Sequence, residues 1–263
     1  MASKRNIKDT KSWRAKAIWS VTTCAILALL CLAVQKRANT ALQKVSVEIV
    51  DLKDKKNLLT KKAVLEKCRK HLGYDLGAST VQDLNLRELE ELLNADSRVK
   101  DAQVYVNNQQ VLTIGILQKQ PIVRVQGDGD SAYYLSEEGE AIPLHKGHTL
   151  RVPLATGPVG KYSADKIFGD KPNHLQDVYR LASHIHSDKF LTALIEQIAV
   201  DAHGEFTLVP KVGKQQLVFG KAENITDRFE NLKIFYKEGM PKVGWRKFDK
   251  LVLNWDGLVV GQE

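Results

Sequence analysis

The sequence predicts an α+β protein: a single transmembrane helix, then a β-α-α-β-β domain, then a mainly antiparallel β domain with two helices. Three observations carry this. An uncharged run covers residues 17–34. The apolar period then alternates between two and 3.6 in a strand-helix-helix-strand-strand order up to residue 117. Beyond it, short β-rich runs bounded by Gly, Pro and Asp are interrupted by two helical stretches. Composition permits all three. The 263 residues suffice for two small domains, 43% hydrophobic content with a mean hydropathy of −0.27 suits a folded chain, and three cysteines exclude a disulfide framework.

The net charge of +8 first suggests nucleic acid or an anionic membrane. Residues 1–16, however, hold Lys4, Arg5, Lys8, Lys11, Arg14 and Lys16 against Asp9, which is five of the eight net charges. The remainder is close to neutral, so no nucleic-acid partner is expected. In AIWSVTTCAILALLCLAV, Ser20, Thr22 and Thr23 are the polar side chains. As a helix it spans about 27 Å, close to the roughly 30 Å hydrocarbon core. Trp13 and Trp19 mark an interface, and the cations ahead of the run outnumber Lys36, Arg37 and Lys44 after it, which places the N-terminus inside. A cleaved signal peptide would have a shorter apolar region and a small-residue site, where QKRANTA stands. Apolarity on all sides argues against a buried core helix. Cys24 and Cys31 are filler in the span, and Cys68 is a buried thiol on the face of Val64, Leu65 and Leu72.

Residues 45–50 alternate as a strand. Thr60 caps a helix carrying Val64, Leu65, Cys68 and Leu72, which Gly73 ends. Asn85 with Glu88 forms a capping box for a helix burying Leu86, Leu89, Leu92 and Leu93. Val99–Val106 and Val111–Leu117 make a hairpin about residues 107–110. Pro121 suits a linker or an edge. Gly127-Asp128-Gly129-Asp130 and Glu137-Glu138-Gly139 are turns. A helix after Pro172-Asn173 buries Leu175, Val178, Leu181, Ala182 and Ile185. Strands follow at Ile195–Val200, Glu205–Val209 and Gln215–Phe219. Asn224 with Asp227 opens a helix with the stripe Phe229, Leu232, Phe235 and Tyr236, and Lys250–Trp255 and Leu258–Val260 close the series.

Several of these segments together resemble the bacterial cell-division protein family FtsQ/DivIB. LEELLNADSRVKDAQVYV (89–106) and LTIGILQKQPIVRV (112–125) are similar to the family's POTRA domain. YYLSEEGEAIPL (133–144) and LRVPLATG (150–157) resemble the strands that follow it, with Ser136 where Asp is common. The resemblance implies a cytoplasmic tail (1–16), a transmembrane helix (17–34), a linker (35–44), a POTRA-like domain (45–118) and a C-terminal FtsQ-type β domain (119–263).

Catalytic signatures are missing. His184 and His186 are two apart on a helix and point to different faces, so they read as a solvated helix end and not as metal ligands. No G-x-S-x-G, H-E-x-x-H or P-loop occurs, and Gly139 occupies the twelfth position where a Ca²⁺ loop from Asp128 needs Glu. No catalytic residue, metal, cofactor or small-molecule substrate is expected.

The resemblance implies a non-catalytic bitopic scaffold of the divisome in the inner membrane, its bulk periplasmic at the septum. Its implied partners are FtsB/DivIC-like and FtsL-like coiled-coil proteins, with an FtsK-like protein as a further candidate. The implied partner-binding residues are Trp245, Val252, Trp255, Leu258, Val259 and Val260, where a final strand offers an open edge. A second surface is expected at Arg98, Lys100 and Leu89–Leu93. The alternatives are a membrane-tethered envelope hydrolase or transferase with its site in 119–263, and a POTRA-bearing secretion component.

Overall fold

In the computed structural model, helix α1 (Lys8–Ala38) contains the apolar run. The structure describes all residues except 1–7, 39–40, 54–55, 128–131, 145–149, 246 and 256–257, and the side chains of 8–12, 14–15, 33–38 and 254–255. Among the described residues no helix is long and apolar enough to cross a membrane. The side chains of Ala33 and Val34, which complete the apolar run, lie outside the described residues. The first turn signal, residues 127–130, falls largely outside them too.

Two compact units follow from the fold: Met1–Glu48 with Lys61–Leu93 and Ala102–Ile116, and Ile49–Thr60 with Asn94–Asp101 and Leu117–Glu263. The sheet characteristic of the first is built from β1 (Lys44–Val50), β2 (Val99–Val106) and β3 (Val111–Gln118) in the order β1-β3-β2. Helices α2 (Lys61–Leu72) and α3 (Leu86–Asn94) lie between β1 and β2 in sequence, which is the expected β-α-α-β-β order. In α2, Val64 and Cys68 are buried, and Gly73 ends it at φ +78°, where a side chain would be strained. In α3, Leu89 and Leu93 are buried, while Leu86, in the first turn, and Leu92, about 100° round the helix from Leu93, are half-buried. The capping box is half formed. Asn85 Oδ1 accepts from the Glu88 amide at 3.3 Å, but the Glu88 carboxylate bonds His71 Nε2 at 2.8 Å.

The second unit is one nine-stranded sheet, β12-β11-β10-β9-β8-β7-β4-β5-β6. Its strands are β4 (Pro121–Gln126), β5 (Ala132–Ser136), β6 (Ala141–Pro143), β7 (Leu154–Thr156), β8 (Ile195–Val200), β9 (Phe206–Pro210), β10 (Gln216–Gly220), β11 (Lys250–Trp255) and β12 (Leu258–Gln262). The pairs β4–β7, β7–β8 and β10–β11 are parallel and the other five antiparallel, so the sheet is mixed. Parallel neighbours need crossovers: β4 reaches β7 through β5 and β6, and helices supply the other two. From β7 to β8 these are α4 (Ala164–Phe168), α5 (His174–Ser187) and α6 (Lys189–Leu194). From β10 to β11 they are α7 (Ile225–Ile234), a π turn (Phe235–Gly239) and α8 (Met240–Val243). Two helices were expected. The extra pieces are too short for a periodic signal.

Residues Leu175, Val178, Leu181, Ala182 and Ile185 of α5 are all buried with Phe229, Leu232 and Tyr236 in the main core, against which Phe235 packs. Alternation along β5 sends Tyr133 and Leu135 into that core. Tyr134 joins a second cluster, with Ile142, Leu150, Leu52 and Leu58. Pro121 is neither linker nor edge: it is the first residue of β4, inside the sheet, and the register with β5 shifts between it and Val123, an irregularity that accommodates its missing N–H. Asn224 precedes α7 at φ +50° and makes no side-chain cap bond, so the expected cap is not formed. Ser136 is fully buried and its Oγ accepts from the Glu138 and Glu140 amides, both at 3.2 Å, organising the turn as Asp would.

Candidate interaction surfaces

Strand β12 is the outer strand of the sheet. It runs antiparallel to β11, with Val252 opposite Val260 and Trp255 opposite Leu258. Its free side leaves ladder groups available for a further strand. The burial pattern along it alternates: Leu258 and Val260 are exposed, at 63% and 38%, and Val259 packs against the core. Val252 is buried at 8%, one strand further in, and supports the edge from within. The side chain of Trp255 lies outside the described residues. Trp245 is half exposed, its ring edge-on to Tyr236 at 5.9 Å. Buried Gln215 donates to its carbonyl and so holds the loop before β11.

Beside this edge is a groove of about 380 Å³ whose walls include Ile234, Phe235, Val243 and Leu258, with Glu238 and Lys242 at its border. Ile234 and Val243 are exposed at 54% and 40%. Sequence reasoning missed this extension, because Ile234 lies off the buried stripe of α7 and Val243 lies in an unexpected helix. Tyr236, which meets the Trp245 ring, is well desolvated: burial pushes its phenol up to about 12.

The second expected surface is partly consumed by internal pairing. Arg98 is bidentate to Asp96, and both are largely covered. Lys100 pairs with Glu138. Burial opposes ionisation of Glu138, but Lys100, its own amide and Ser136 outweigh it and hold the carboxyl below its ordinary value. Leu89 and Leu93 are core.

The histidines of α5 do not form a solvated end. His184 stacks on Phe229, with centroids 5.1 Å apart and planes at 9°. His186 is half-buried, and its Nε2 lies 2.8 Å from Lys53 Nζ. An ammonium can only donate, so the ring accepts and is neutral. Burial, then the Lys53 charge, lowers its pKa. A cavity of about 440 Å³ opens beside it, floored by Ile122, Val152, Pro153 and Ile185. Lys53, Arg151 and Lys189 also line it, and no Asp or Glu does among the described residues. No group of three His, Cys, Asp or Glu that could hold a metal occurs among them either.

A large mixed sheet with helical crossovers, an open edge strand and an apolar groove beside that edge define an α+β domain with the equipment for docking other chains. The family model for FtsQ/DivIB, C-terminal related, matches residues 120–262, and the chain belongs to that family of cell-division proteins. Among curated proteins no relative matches the chain.

Proposed function

We propose that this protein is a non-catalytic bitopic scaffold of the bacterial divisome, linking early and late division proteins through its periplasmic domains. The reading takes residues 1–16 as cytoplasmic tail, 17–34 as anchor in the inner membrane, 35–44 as linker, 45–118 as POTRA-like domain and 119–263 as the partner-binding domain. The observation that carries it is the open β12 edge with exposed Leu258 and Val260, in a chain of the FtsQ/DivIB-related family. A partner strand of an FtsB/DivIC-like protein adds to β12, with an FtsL-like protein held alongside. Trp245, Val252, Trp255, Leu258, Val259 and Val260 form or support that contact. Confinement to one membrane plane raises the effective concentration, so a short strand contact suffices. An FtsK-like protein is the candidate for the other domain.

The enzyme alternative needed a cleft holding a base, a nucleophile and a perturbed acid. The cavity beside His186 offers a neutral imidazole among cations, and among the described residues no carboxylate lines it.

Two experiments test the scaffold. Depletion in the native cell gives filaments with unseparated septa, and normal division would refute the division role. Truncation after Asn254 abolishes partner retention in a pull-down while the β1-β3-β2 sheet keeps its fold; undiminished retention would refute the strand-edge contact.

A further inference from the structure

We propose that the cavity beside His186 binds a small amphipathic anion, an apolar body bearing one carboxylate or phosphate. Among the described residues, Arg69 pairs with Glu66, Arg98 with Asp96 and Lys233 with Asp188 and Glu230, while Lys166, Lys211 and Arg228 bond backbone carbonyls instead. The cations around the cavity have neither kind of acceptor for their head groups among the described residues. Lys53 donates its ammonium to a neutral imidazole and has no ion pair among the described residues; the Glu137 carboxylate acts on His186 but does not line the cavity. Arg151 and Lys189 are exposed and have no carboxylate in ion-pair range among the described residues. Three like charges therefore line one concavity, and its low-dielectric walls focus their field on whatever enters.

The other half of the ligand follows from the floor. Ile122, Val152, Pro153 and Ile185 offer apolar surface, and about 440 Å³ falls within the range of roughly 300–1,000 Å³ typical of small-molecule sites. A bare phosphate would leave that floor wetted, and an uncharged hydrocarbon would leave the cations uncompensated. A ligand with both parts satisfies both, which the sequence, read as having no small-molecule substrate, did not suggest.

The test is photolabelling of the full-length protein in an uncharged maltoside detergent with 4-benzoylbenzoate, the adducts being mapped by peptide mass spectrometry. The expected result is saturable labelling of peptides covering 120–126 and 185–194, reduced at least about tenfold in R151E/K189E. Benzophenone without the carboxylate labels those peptides at least about tenfold less. Ala193→Trp, at an exposed lining position, reduces labelling by filling the space with the charges intact. Competition by 2-naphthoate or 2-naphthyl phosphate supports the site, and the stronger of the two identifies the acid. Equal labelling by benzophenone, unchanged labelling in R151E/K189E, adducts concentrated elsewhere, or equal competition by inorganic phosphate overturns the proposal.

Discussion

Gln118 joins four polar groups of the segment before α2. Its Oε1 accepts from the amides of Leu58 at 2.8 Å and Leu59 at 3.0 Å, and its Nε2 donates to Val50 O and Asn57 Oδ1, both at 3.0 Å. Gln118 itself is 3% exposed, and Leu58 and Leu59 are equally covered. Gln118→Met keeps the volume and removes the acceptor, orphaning two buried N–H groups at about 1–3 kcal/mol each. Partial rescue by water brings the net loss to about 3 kcal/mol. If segment 50–60 opens locally, amide exchange of residues 57–60 accelerates about 100-fold, since each 1.4 kcal/mol is a factor of ten. Hydrogen-exchange mass spectrometry of the full chain reads this directly. Gln118→Glu should fall between the two: it restores the acceptor but loses both donations. Unchanged exchange at 57–60 in Gln118→Met, or an equal acceleration of every protected peptide, would refute the reasoning.

Asp188 caps α6, accepting from Phe190 N at 2.8 Å and Leu191 N at 3.1 Å, and pairs with Lys233 at 2.8 Å. Asp188→Ala therefore loses about 1 kcal/mol for the cap alone and lowers the melting temperature. Lys233 first, then the Leu191 amide, hold the Asp188 carboxyl below its ordinary 3.8, so the stabilisation is full above that pH. The gap between native and variant closes as pH falls through the lower folded value, which melts across an acid series would show. Gly157 sits at φ +109° with the Val200 carbonyl where a Cβ would lie, so Gly157→Ala destabilises by about 3 kcal/mol or more, seen as a drop in soluble yield and melting temperature. Burial raises the Cys68 thiol above its ordinary 9.0, so iodoacetamide leaves it unmodified in the native protein up to that pH and modifies it on denaturation.

Local order was legible and long-range assembly was not. Lys250–Trp255, Ile195–Val200 and Val99–Val106 match the expected strands to the residue because alternation and turn chemistry lie within each segment. Alternation carries no information on strand direction, so the parallel pairing of β10 with β11 was invisible. The exposed end strand was readable from Leu258 and Val260; the burial of Val252 was not, since it depends on what covers β11 from both sides. His184 and His186 do face different ways, as the spacing requires. Their surroundings come from Phe229 and Lys53, 45 and 133 positions away. The cavity has the same origin, being assembled from pieces around residues 53, 121, 152 and 186.

The second unit takes Ile49–Thr60 and Asn94–Asp101 from stretches that precede its main run at Leu117–Glu263. Leu52 and Leu58 belong to its smaller core with Tyr134, Ile142 and Leu150. The chain thus has no seam near residue 118 at which a protease could release an intact C-terminal piece, nor a point at which one recombination event could transplant it. A gene carrying codons for 119–263 alone would encode a sheet with part of its packing left behind. Any exchange of this part of the protein would have to carry the segments at 49–60 and 94–101 with it.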